Sequence, residues 1–177
     1  ARSGRRVAPL EETEETWDST FSVTLRAAYF ASQEAIRAMG AKRRGAIINI
    51  SSVAAVLSCK ESAAYHIAKA GILQMTRYLA CEGGRCGVRV NAILPGFIVQ
   101  DEDQPRYYKP DNQAYRRMAE SCHPMGSVGR SDDIAKVVAF LCSAKAAFIT
   151  GQTLTIDGGL TIQEQSSLAF RLARNAA

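Results

Sequence analysis

Long apolar runs are missing from this chain. No stretch of its 177 residues approaches the roughly 20 that a membrane-spanning helix needs. The opening ARSGRRVAPLEE has no apolar segment of the kind a secretory leader carries. It also lacks an initiating methionine, so the expectation is a processed chain or a piece of something longer. Histidine and cysteine are sparse: there are two of the first and five of the second. No CxxC occurs, and no Cys/His spacing suits zinc. Cys59, Cys81, Cys86, Cys122 and Cys142 are odd in number and read as free thiols in a reducing compartment. That reading implies a cytoplasmic protein without a metal site. A basic stripe interleaved with aromatics is absent as well. Net charge is +5, but the cations fall in small clusters at Arg5–Arg6, Lys42–Arg43–Arg44, Arg116–Arg117 and Arg171/Arg174. Scattered clusters read as solvated surface and argue against a nucleic-acid partner. Finally, none of the 13 glycines falls into GxGxxG or GxxxGxG, the turns that cradle a pyrophosphate at a helix N-terminus.

What is present is an ordinary globular composition, 47% hydrophobic and 22% charged, enough for one domain with one core. From Glu14 to Met39 the residues Trp17, Phe21, Leu25, Ala28, Ala35, Ile36 and Met39 recur every three or four positions, which predicts a long amphipathic helix. Glu11, Glu12, Glu14 and Glu15 suit its N-terminal dipole, and Gly40 with the following KRR suits its end. AIINIS (Ala46 to Ser51) predicts a buried strand, Ala63 to Glu82 a second helix stopped by Gly83-Gly84, and VRVNAIL (Val88 to Leu94) a second strand stopped by Pro95-Gly96. Residues 100–123 are polar and read as a long loop with at least one helical piece around Asn112 to Glu120. Ser131-Asp132-Asp133 caps a helix over Ile134 to Ser143, and TLTID (Thr153 to Asp157) predicts a third strand. The tail from Gln163 to Ala177 reads as a short docking helix or a frayed end. The strands look uniformly apolar, and helices and strands alternate. Alternation of this kind predicts crossover units on a parallel sheet with helices on both faces, an α/β fold.

Within the second predicted helix stand Tyr65 and Lys69, in SAAYHIAKAG. Positions four apart share one helix face. A phenol is a weak base at neutral pH, and a neighbouring ammonium favours its ionised form. A tyrosine so tuned can take a proton from an alcohol or return one to a ketone. The same spacing also fits a lysine snorkelling past a half-buried tyrosine with no chemical role. Ser52 lies thirteen residues before Tyr65, just past a predicted strand, where reactive groups of parallel sheets gather. Its hydroxyl there can hold a substrate oxygen as the charge changes. Pro95-Gly96 follows the next strand at the same sheet edge, a turn whose backbone can approach a flat ring.

NISS followed by AYHIAK, RVNAILPGFI and ITGQTLTIDGG resembles the short-chain dehydrogenase/reductase family. So do PMGSVGRSDDIAKVVAFL and the first helix, WDSTFSVTLRAAYFASQEAI. The likeness runs from Pro9 to Ile162, in order and with matching gaps. It implies a Rossmann-like catalytic half, one partial domain over residues 1–177, lacking the N-terminal half of the doubly wound fold. It implies NAD or NADP as cofactor and interconversion of a secondary alcohol and a ketone. By resemblance Tyr65 is the general acid/base, and Lys69 tunes it and binds the nicotinamide ribose. Ser52 holds the substrate oxygen, and Pro95, Gly96, Phe97 and Ile98 form the turn against the nicotinamide. Residues 100–123 form the loop over the substrate. The first two helices form a homo-oligomer contact, as dimer or tetramer, to which the last strand and the 163–177 tail add.

The chain departs from that family in three places. Thr24, in Val23-Thr24-Leu25-Arg26-Ala27, stands where the family has an asparagine that supports proton relay; a threonine hydroxyl can hold a water, with a different donor pattern. Gln100 stands near the place of a threonine that touches the nicotinamide amide. The glycine-rich turn is absent, which leaves AIINIS with a bare edge and predicts a marginally stable or partner-dependent chain. The competing expectation is therefore a non-catalytic remnant, an oligomerisation or interaction module without dinucleotide binding.

Overall fold

The computed structural model describes Ala8 and residues 10–176. Arg5–Arg6 and Pro9, where the resemblance begins, lie outside the described residues. In chain order the elements are helix α1 (Glu14–Phe21), a π-helical turn (Ser22–Arg26), α2 (Ala27–Gly40), strand β1 (Gly45–Ile50), α3 (Ala63–Gly84) and β2 (Val88–Pro95). Then follow β3 (Ile98–Val99), α4 (Gln104–Tyr107), α5 (Gln113–Ser121), β4 (Gly129–Arg130), α6 (Ser131–Cys142), β5 (Thr153–Ile156) and α7 (Gln165–Ala176). The main sheet has the order β1-β2-β5, and β1 pairs with β2 in parallel, Gly45 opposite Val88 and Ile50 opposite Ile93. This is the Rossmann-like α/β layering that the alternation of patterns predicts. The chain divides into two compact units: residues up to Leu94 together with Val138–Leu154, and Pro95–Val137 together with the chain from Thr155 onward.

In the first unit, Thr13 starts α1 with a capping box: its hydroxyl oxygen accepts from the Thr16 amide at 3.3 Å, and Thr16 returns the bond to the Thr13 amide. The expected long helix continues past Phe21 through a π turn, in which the Ala27 amide reaches back five residues to the Ser22 carbonyl. Ile72, Met75 and Leu79 of α3 meet Val90 of β2, with Leu25, Tyr29, Ile36 and Ile47 packed around them. Burying each such side chain stabilises the fold by roughly 1.5–3 kcal/mol.

The strands are not uniformly apolar. Asn49 and Asn91 are buried in β1 and β2. Asn49 donates to the Thr76 hydroxyl at 2.9 Å and accepts from Ser32 at 3.4 Å, which ties β1 to α3 and α2. Asn91 donates to the Ile149 carbonyl (2.9 Å) and accepts from the Gln152 amide (3.0 Å), which fixes the segment entering β5. Buried carboxamides are tolerated because both ends are bonded. Arg89 carries its charge to the end of α6, donating to the Leu141 and Ser143 carbonyls at 2.7 and 3.4 Å. The helix α3 includes Gly83 and ends at Gly84, two residues later than expected. A Cβ on Gly83 would stand 2.8 Å from the Val88 carbonyl oxygen, so this glycine serves the close approach of helix and strand. No described strand pairs with the outer edge of β1, and Ile50 there is 43% exposed.

In the second unit, the helical piece expected within residues 100–123 is present as α5, and the segment holds more helix than that. Two 3-10 turns, α4 and α5 occupy most of the segment. The start and stop signals of the 3-10 turns and of α4 are short and overlap, so periodicity misses those three. α6 begins at Ser131, earlier than its apolar residues suggest, because Asp133 accepts from the Arg130 amide at 2.9 Å. The tail forms α7, and Arg171 on it donates to the Ser121 carbonyl at 2.9 Å.

Candidate active site

The site begins where β1 ends. The Ser51 amide donates to the Ile93 carbonyl (2.8 Å), and the Ser51 hydroxyl donates to the Lys69 carbonyl (2.7 Å), so the strand end is tied to both β2 and α3. Ser52 follows in extended conformation, and its oxygen accepts from the Ala54 amide at 3.2 Å, capping a 3-10 turn over Val53–Ala55. Ser62 caps α3 by accepting from the Tyr65 amide at 3.2 Å. Glu12 reaches the same helix start, its Oε2 accepting from the Ala64 amide at 3.1 Å. A carboxylate at that position meets unsatisfied N–H groups and the positive end of the dipole. Glu12 therefore serves α3 and not the helix it precedes.

Tyr65 is consequently held in the first turn of α3, half-buried, with Lys69 one turn further on. The Lys69 ammonium lies 5.6 Å from the centre of the Tyr65 ring and donates to the Ile50 carbonyl at 2.9 Å. Burial pushes the Lys69 ammonium below its ordinary range, since removing a cation from water disfavours it. Thr24 is buried in the π turn. The turn packs on α3, with Leu25 filling the space over Gly71.

The Pro95–Ile98 turn belongs to the second unit. The Gly96 amide donates to the Ile156 carbonyl at 2.9 Å, and a Cβ on Gly96 would meet Asp157 at 2.6 Å, so only glycine fits. Ile98 pairs with Gly129 across β3 and β4. The Phe97 ring is surrounded by Tyr107, Tyr115 and His123, with centroids 6.2–6.5 Å away. Burial pushes the Tyr107 hydroxyl up to about 12, helped by Glu120 and the neighbouring tyrosines. Among the described residues no group of three or more His, Cys, Asp or Glu could hold a metal ion, and no helix is long and apolar enough to cross a membrane.

The family model described as enoyl-(acyl carrier protein) reductase matches residues 3–161. The chain belongs to the short-chain dehydrogenase/reductase family. Among its relatives in that family is an inactive 2-(S)-hydroxypropyl-CoM dehydrogenase of Xanthobacter autotrophicus, 38% identical, aligned over 83% of this chain and 64% of the relative. A tropinone reductase homolog of Arabidopsis thaliana is 38% identical over 82% of this chain and 55% of its own length. The 3-oxoacyl-[acyl-carrier-protein] reductase of Rickettsia felis is 37% identical over 83% of this chain and 59% of its own. This short-chain dehydrogenase/reductase chain thus spans 55–64% of the length of these curated relatives. A 4-hydroxyisoleucine dehydrogenase mutant, solved with NADH and succinate, superposes with a TM-score of 0.81 at 31% identity, covering 93% of this chain and 68% of that one. A structure described as ribose-5-phosphate isomerase from Brucella melitensis 16M reaches 0.80 at 34% identity, over 94% of this chain and 62% of that one. Relatives with such different named activities share the oxidoreductase family's fold without fixing a substrate.

Two features of the site were not legible as site residues in the sequence. Glu12 looked like part of an acidic run, and its distance from Ala64 along the chain gave no signal. The Asn49–Thr76 bond, which fixes the strand end relative to α3, was signalled only by an asparagine inside an apolar run.

Proposed function

We propose that the chain is the acid/base portion of an NAD(P)-dependent oxidoreductase that interconverts a secondary alcohol and a ketone. The observation that carries this reading is the Lys69 ammonium, 5.6 Å from the Tyr65 ring centre and anchored to the carbonyl at the tip of β1. Tyr65 is the general acid/base, Ser52 at the strand tip holds the substrate oxygen, and Lys69 favours the ionised phenol. Thr24 sits in the buried turn against α3 and is assigned to the proton route from Lys69.

The donor set fits the nicotinamide end of NAD or NADP. An ammonium has three protons, and the bond to Ile50 occupies one, leaving donors for ribose hydroxyls. Pro95, Gly96, Phe97 and Ile98 are assigned to the flat ring by the family resemblance alone. The cofactor, when bound, supplies the hydride acceptor or donor. The pyrophosphate end finds no match among the 13 glycines. A second reading is a module that acts by association without binding dinucleotide. Val23, Phe30, Ile67 and Tyr78 are exposed on the first helices and α3, which supports a homo-oligomer in either case.

Titration calorimetry of the 177-residue chain with NADH and with NADPH separates the two readings. Micromolar binding of either, with alcohol oxidation abolished in Tyr65→Phe while binding persists, is the expected result. No binding of either nucleotide removes only the claim that these 177 residues are active by themselves. Because burial lowers Lys69 from its ordinary range, the reading also requires activity to fall on the alkaline side before an ordinary lysine would titrate.

A further inference from the structure

His66 follows Tyr65 directly in α3. Its Nδ1 lies 2.7 Å from the Ser62 carbonyl oxygen. A carbonyl has no proton to give, so Nδ1 carries the proton and Nε2 presents its lone pair. Two groups of Cys59 converge on that lone pair. The Cys59 amide donates to Nε2 at 3.0 Å, and the Cys59 sulfur lies 3.4 Å from it. The tautomer is therefore fixed from both sides: a carbonyl holds one ring nitrogen as donor, and an amide holds the other as acceptor. The result is a thiol beside an oriented base, the geometry that nucleophilic sulfur needs. Cys59 is exposed, so a reagent can reach it. Next to the pair opens a cleft of about 450 Å³ lined by Val56, Leu57, Ser58, Glu61, His66 and Ile67, among others.

We propose that Cys59 is a nucleophilic modification site activated by His66, and that it exchanges with soluble low-molecular-weight disulfides. The Cys59 sulfur attacks one sulfur of the disulfide while its proton passes to His66 Nε2. The reagent's S–S bond breaks, a Cys59 mixed disulfide forms, and the leaving thiolate takes the proton from the imidazolium. Cys59 is oxidised and half of the reagent is reduced, with no other reactant. The Cys59 amide must release Nε2 during the transfer, so the backbone at Cys59 moves with the step. The new substituent then stands against the His66 ring, which packs edge-on to Tyr65 with centroids 6.4 Å apart. Modification thereby reaches the neighbourhood of the tyrosine from outside.

The chain contains its own controls. Cys81 and Cys142 are also exposed, with no imidazole hydrogen-bonded to them among the described residues. The 177-residue chain is incubated with glutathione disulfide at neutral pH, quenched in acid and digested, and the adduct at each cysteine is followed by mass spectrometry. Cys59 is expected to react about tenfold or more faster than Cys81 and Cys142. In His66→Gln, with folding checked by circular dichroism, the Cys59 rate is expected to fall to theirs. Equal rates at the three cysteines of the unmodified chain overturn the proposal, as does an undiminished Cys59 rate in folded His66→Gln. Should that variant fail to fold, the comparison of cysteines within the unmodified chain still decides.

Discussion

Replacing Asn91 by aspartate exchanges one NH2 for an oxygen in a side chain with no solvent exposure. The Gln152 amide can still donate to Oδ1, 3.0 Å away, but the Ile149 carbonyl oxygen, 2.9 Å from the other arm, then faces an acceptor. The lost bond is worth about 1 kcal/mol, and the stranded buried charge costs about 3–5 kcal/mol. Together these approach the whole stability of a marginal domain, about 5 kcal/mol. The introduced carboxyl is buried, so its folded value lies above the ordinary value of about 3.9. The sign follows: the unfolded chain releases its proton first, so the charge penalty is absent below about pH 4 and grows as pH rises towards the folded value. Asn91→Leu removes both bonds without introducing charge and should cost about 2–4 kcal/mol at every pH. Urea unfolding followed by circular dichroism, at acid and neutral pH, separates these outcomes. If Asn91→Asp is no less stable than Asn91→Leu at neutral pH, or if their difference is independent of pH, the clamp does not work as described.

Two smaller perturbations test other parts of the chain. Tyr107 is buried and its hydroxyl has no partner among the described residues, so Tyr107→Phe should leave stability unchanged or raise it by up to about 1 kcal/mol; a loss of that size in urea unfolding would reveal a bonded hydroxyl. Burial pushes the Asp157 carboxyl up, but the Thr161 hydroxyl (2.6 Å), the Thr161 amide (2.8 Å) and the Gly159 amide (2.9 Å) donate to it and carry it below its ordinary range. Its stabilisation is present above about pH 4 and lost as pH falls through the lowered folded value. Thr161→Val should cost about 1–2 kcal/mol at neutral pH and nothing in strong acid, and a carboxyl carbon NMR titration should show the Asp157 midpoint moving up; an unmoved midpoint would count against the hydroxyl.

The parts of the molecule written in periodic residues were legible. Trp17, Phe21, Leu25 and Ile36 announced the first helix, and AIINIS and VRVNAIL announced the paired strands. Tyr65 and Lys69 announced a shared helix face because four residues make one turn, whatever surrounds it. What could not be read was anything fixed by distant partners. Asn49 and Asn91 looked like blemishes in apolar strands, since Thr76, Ile149 and Gln152 are remote in sequence. Gly83 looked like a helix stop because a glycine's reason, here the carbonyl of Val88, lies in another element. Residues 100–123 hid α4 because its single turn is too short for its period to repeat. Within the site, the spacing of Ser52, Tyr65 and Lys69 was visible, whereas the Ile50 carbonyl that anchors the lysine was not, because a backbone acceptor has no letter.

The wide turn at Ser22–Arg26 changes what the first helical stretch can present. Taking one residue out of that turn would close it into an unbroken α-helix with both halves still facing as they do. Closing it with every residue kept would swing everything from Glu14 to Phe21 by about 100° around the helix axis relative to α2. The stacked rings of Trp17 and Phe21 would no longer share a side with Tyr29 and Ile36, and Thr24 would turn out of its buried place. One surplus residue thus acts as a rotational adjuster, letting a single rod aim its two halves independently.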